Sequence, residues 1–145
     1  MSESMKNKAP AWFVIVVLLL LVWNLLGVIA YIMQVTMTPE ALAALPEAQR
    51  QLYENTPQWA TAAFAIAVNG GALGCLLLLL RRNLAALFLK ASLLGVLVQM
   101  FHSFFISNSF EVFGPGGLVM PVLVIVIAVY LVMLAGKARA NRWTD

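Results

Sequence analysis

The chemistry this chain offers is that of neutral hydrogen-bonding side chains set in apolar surroundings. Asn24, Gln34, Asn69, Gln99, His102 and Ser103 all stand within or at the ends of long apolar runs. A polar group in such a setting costs free energy unless it finds a partner, so these side chains are expected to face other helices. Asn24 lies about midway along the first run and Asn69 about midway along the second, which runs the opposite way. Their depths therefore match to within about one helical turn, ~5.4 Å. Two carboxamides at one depth can bond each other across a helix pair, or both can reach a hydroxylated solute. Bonding each other is helix–helix glue, worth about 0.6–2 kcal/mol per hydrogen bond.

A second polar group lies further along. Gln99 and His102 are three residues apart and Ser103 is four from Gln99, so the three share one helix face. Gln34, near the far end of the first run, lies at a similar depth. Glutamine and serine offer donors and acceptors without fixed charge, which suits a neutral polyol or sugar. His102 titrates near neutral pH in its ordinary state and is a candidate proton carrier. A lone histidine near an interface is more often simply hydrated or bonded to a neighbour.

Other chemistries find no support. The carboxylates Glu40, Glu47, Glu54 and Glu111 fall in polar connections, and Asp145 is the last residue, so no Ser–His–Asp set shares one depth. One cysteine, Cys75, and one histidine allow neither a disulfide framework nor a zinc site. The sequence predicts no enzyme, no cofactor and no metal. Gly70 and Gly74 form a GxxxG pattern in an apolar stretch, and Ala91 and Gly95 make a similar small face on the next. Both patterns suit close helix packing, of the second span on the third or on a second copy.

The elements that must position these residues are membrane-spanning helices. Of 145 residues 63% are hydrophobic and 10% charged, with a mean hydropathy of +0.93, more apolar surface than a soluble domain of this size can hide. The expected fold is all-α: an integral membrane four-helix bundle forming a single domain over residues 1–145. Its spans run over about 11–35, 59–80, 84–106 and 117–136. The first run, at 25 residues, exceeds the ~7–15 of a signal-peptide core and reads as a retained helix. Between the first two spans, the 36–58 connection carries Thr38-Pro39-Glu40 and Pro46-Glu47, both helix-start patterns, so a short helical segment is expected there. It serves as a lid or as a plain connector. Lys90, about a turn and a half into the third span, has a stem long enough to snorkel to the headgroups.

Charge gives the orientation. Lys6, Lys8, Arg81, Arg82, Lys137, Arg139 and Arg142 fall on one side. Arg50 stands on the other, with Glu40, Glu47, Glu54 and Glu111. The positive-inside rule then places both termini in the cytoplasm and the 36–58 connection outward. The net charge of +3 is explained by this asymmetry, so no nucleic-acid partner is expected. The spans do not divide into two similar halves, so the inverted repeat of many transporters is absent.

The segments WNLLGVIAYIMQVTM, ALPEAQRQLYENTPQWATAAFAIAV, NGGALGCLLLLLRR and LVQMFHSFFISNSFEVFGPG resemble a group of small bacterial four-span membrane proteins often labelled sugar transporter or uncharacterised. The resemblance covers roughly residues 20–120 and implies a four-helix membrane bundle in a bacterial inner membrane and small hydroxylated solutes; it brings no site residues with it. Two functions are then in view. One is a transporter or channel for a small neutral polar, sugar-like solute, working as an oligomer because four helices barely enclose a pathway. The other is a non-transporting accessory or structural membrane protein that binds a partner complex or lipid. Its support is the nearly unbroken apolar fourth span and the GxxxG face.

Overall fold

The computed structural model describes residues 8–106 and 119–145. Expectations resting on Lys6, on Glu111 and its neighbours, and on the first residues of the fourth span lie outside the described residues. Among the described residues every regular element is helical. Helix α1 is Ala11–Val35, followed by two short helices, α2 (Pro39–Ala43) and α3 (Glu47–Glu54). Helix α4 is Gln58–Leu79, and α5 (Ala85–Phe101) runs on into a π-helical turn, His102–Ile106; helix α6 is Val119–Ala140. Four of these stretches are long and apolar enough to cross a membrane, which makes this a multi-pass membrane protein by length and composition.

The helix ends are set by local chemistry. Thr38 Oγ1 accepts from the Ala41 N–H at 3.1 Å, with Pro39 in the first turn and Glu40 beside the positive end of α2. Thr56 does not cap α4, as its place before Pro57 suggests. Its hydroxyl turns back and donates to the Leu52 carbonyl at 2.5 Å, serving an otherwise unpaired acceptor at the end of α3. Pro57 itself precedes the first residue of α4. Helices α4 and α6 close alike. Arg81 (φ 61°) and Arg142 (φ 59°) adopt the left-handed conformation. The Arg82 N–H reaches Leu77 O at 2.9 Å, and the Trp143 N–H reaches Ala138 O at 2.8 Å. This is the Schellman closure, usually made with glycine.

The fourth helix differs from its expected end. It continues past Gly136 to Ala140, because Lys137 and Arg139 are good helix formers that sit well at its negative end. The residues beyond are not a free tail. The Asn83 N–H donates to Asp145 O at 2.7 Å and the Asp145 N–H to Arg81 O at 3.1 Å. Arg81 Nε donates to Trp143 O at 2.8 Å, and Thr144 Oγ1 to Asn83 Oδ1 at 2.5 Å. The Trp143 ring packs tilted against Phe13 and edge-on against Trp12, with ring centroids 5.1 Å and 5.7 Å apart, and Lys137 Nζ lies 5.2 Å over Trp12. This clasp ties the start of α1, the α4–α5 turn and the chain's end together at the basic end of the bundle.

Helix α1 lies on α4, α4 on α5, and α5 on α6. The α4–α5 seam is the closest, because glycine lets backbone meet backbone. A Cβ on Gly95 would stand 2.7 Å from Ala63 O, and one on Gly70 would stand 3.1 Å from Phe88 O. A Cβ on Gly74 would meet the Leu89 side chain at 2.5 Å. Ala91 is half-buried beside this seam, and the small side chain inside it one turn before Gly95 is Ser92. Helices α1 and α6 meet at the basic end, where Phe13, Val17, Leu131, Leu134 and Ala138 form one buried cluster with Cys75, Leu78 and Leu89.

Candidate functional site

Residues of all four long helices line a cavity of about 420 Å³, large enough for one small ligand. Helix α1 contributes Trp23, Asn24, Gly27 and Ala30; α4 contributes Phe64, Ala67 and Val68. Ser92, Val96, Gln99 and Met100 come from α5, and Pro121, Val124 and Ala128 from α6. Most of the wall is apolar, and among the described residues none of the lining side chains is charged.

Asn24 is the inner polar point. Helix α1 presses it into α4 at Gly71: Asn24 Oδ1 stands 2.0 Å from where a Cβ on Gly71 would be. Only a residue without a Cβ leaves that notch open. Asn24 Nδ2 donates to Leu20 O at 2.8 Å and reaches Cys75 Sγ at 3.7 Å. Its Oδ1 accepts no hydrogen bond from the described residues. Ser92 Oγ is 3.3 Å from the same notch and donates to Ala67 O at 2.5 Å. Gln99 is half-buried on the wall, with no hydrogen-bond partner among the described residues. It follows Ser92 by seven residues, two turns of one helix, which sets it about 10 Å further along the cavity.

Of the six side chains singled out from the sequence, the cavity brings together Asn24 and Gln99. Asn69 is exposed and donates to Ala65 O of its own helix at 2.8 Å. The two carboxamides do not bond each other: Asn24 meets α4 at Gly71, and Asn69, two residues earlier, is rotated by about 200° to the opposite face. Matched depth does not fix direction around the helix. Gln34 is half-buried and outside the cavity wall. His102 is buried edge-on against Trp59, ring centroids 5.3 Å apart, and Ser103 is half-buried in the same π-helical turn. The cavity also uses Ser92 and Trp23, which the motif reading passed over. The seven-residue spacing of Ser92 and Gln99 was the signal for the former, since it puts both on one face.

Among the described residues there is no group of three or more His, Cys, Asp or Glu side chains that could hold a metal ion. The cavity's polar groups without a hydrogen-bond partner among the described residues are the Asn24 oxygen and the Gln99 carboxamide. Each hydroxyl buried here without a partner costs about 1–3 kcal/mol, so such a wall favours ligands with few polar groups. No family model, curated protein or solved structure matches the chain.

Proposed function

We propose that the protein is a transporter for a small, uncharged, sparsely polar solute, taken into the cavity lined by the four long helices. It works in a bacterial inner membrane with both termini cytoplasmic and the α2–α3 connection outward. The observation that carries this reading is the pair of carboxamide groups, Asn24 Oδ1 and Gln99, without hydrogen-bond partners among the described residues, on a mostly apolar wall. In lipid such groups call for a partner, and the cavity is the space that admits one. The sugar-like solute suggested by the resemblance narrows on these grounds to a molecule with fewer hydroxyls. The orientation is supported by the basic residues Lys8, Arg81, Arg82, Lys137, Arg139 and Arg142. The tightly packed Phe13–Ala138 cluster closes the cavity toward the basic end, so passage requires that end to open. A second copy, or a partner protein, lies within this proposal as the means of completing a pathway.

The test is flux in proteoliposomes. Uptake of uncharged solutes of graded polarity should be fastest for those with one or two hydroxyl or amide groups, and Asn24→Leu and Gln99→Leu should each slow it. Uptake no faster than in empty liposomes would refute transport. Solute binding without flux would favour the accessory role instead.

A further inference from the structure

We propose that the cavity's occupant is a membrane-dissolved, uncharged amphiphile of the long-chain alcohol class, its hydroxyl donating to Asn24 Oδ1; this rests on the cavity being the ligand site proposed above. Four observations lead there. Asn24 is 9% exposed and lines the cavity, and its carbonyl oxygen accepts nothing from the described residues. Its amide nitrogen is already engaged by Leu20 O, so what it offers a ligand is an acceptor. The wall from Asn24 toward Gln99 is apolar, built of Ala67, Val96, Val124 and Ala128 over about 10 Å. That is a seat for a chain rather than for further polar groups. The lining residues carry no charge, so a carboxylate, phosphate or ammonium head would sit there unpaired.

The fourth observation is the direction of access. At the basic end Phe13, Val17, Cys75, Leu78 and Leu89 are each 1% exposed or less, which seals the floor. On the α1 side the cavity is lined by Leu26, 59% exposed, and by Ala30, also exposed. In a membrane-spanning helix such side chains face acyl chains. The cavity therefore opens sideways to the bilayer, and the ligand enters head first from lipid.

The experiment is photolabelling of the full chain in phospholipid nanodiscs with a diazirine-bearing hexadecanol, mapped by peptide mass spectrometry. Label should concentrate on the α1 segment from Asn24 to Ala30 and the α6 segment from Pro121 to Ala128. Excess hexadecanol should displace it, while hexadecane, which lacks the head, should not. Asn24→Leu should weaken capture by about three- to tenfold, the value of one hydrogen bond in lipid. Val124→Trp, which fills the cavity from the α6 side, should abolish it while the protein stays folded by circular dichroism. Label spread evenly over all lipid-facing helices, or displaced equally by hexadecane, would overturn the proposal. Displacement by small water-soluble alcohols and not by hexadecanol would overturn it too, but would leave the cavity as a solute site. No displacement by either would remove both readings.

Discussion

Gly71 decides whether the inner polar point exists. A methyl group there would stand 2.0 Å from Asn24 Oδ1, so Gly71→Ala must push Asn24 out of its notch. The expected cost is about 1–3 kcal/mol, read as a fall in melting temperature in detergent, together with loss of ligand binding. Gly136→Ala is the contrast: nothing lies within 4 Å of the added carbon, so stability should hold or rise by up to about 1 kcal/mol. Arg142 gives a third outcome. It holds a left-handed conformation that disfavours any side chain with a Cβ. Arg142→Gly should therefore raise stability by about 0.5–1 kcal/mol, measured in the same melting assay. At this scale the sequence marked Asn24 and Gln99 correctly as polar groups in apolar runs. It could not separate Asn24 from Asn69, because a residue's facing depends on which neighbours its helix packs against.

Among the helices, the α4–α5 seam is the rigid part against which α1 and α6 rest. The glycines in it are unequal, and the atoms they face say why. A Cβ on Gly95 meets Ala63 O and Ala67 N, backbone atoms that move only if the helices separate. A Cβ on Gly74 meets the Leu89 side chain, which can turn aside. Gly95→Ala should thus cost more than Gly74→Ala, about 2–3 against about 1 kcal/mol, by chemical denaturation in micelles. The GxxxG spacing made this packing legible, and the choice between α5 and a second copy as the partner needed the fold. The C-terminal clasp was not legible. Its contacts join residues some sixty positions apart through backbone groups of the 81–83 turn, which no side-chain pattern announces. Trp143→Ala should lower stability by about 1–3 kcal/mol, less than a fully buried tryptophan, and should shift the Trp12 fluorescence.

At the scale of the whole molecule, the all-helical fold with four long apolar helices followed from composition and run length alone, because lipid leaves a spanning backbone few alternatives. The cavity did not follow, since it arises from how the four long helices pack together. Topology is testable directly. Cys75 is buried, so added thiols report cleanly. An impermeant maleimide applied to intact spheroplasts should label Gln51→Cys and spare Lys8→Cys and Arg139→Cys; the reverse pattern would invert the orientation. The central claim is that the cavity binds a sparsely polar, uncharged ligand through Asn24 and Gln99. It is tested most directly by the melting temperature of the purified protein against a panel of alcohols, amides, sugars and phospholipids. A ligand that binds only the folded state stabilises it by about 2.7 kcal/mol at a hundred times its dissociation constant. The account predicts a saturable rise with an uncharged alcohol or amide, lost in Asn24→Leu, reduced in Gln99→Leu for ligands with a second polar group, and kept in Asn69→Leu, whose side chain faces away. A flat response across the panel, or a rise that all three variants retain, would contradict it.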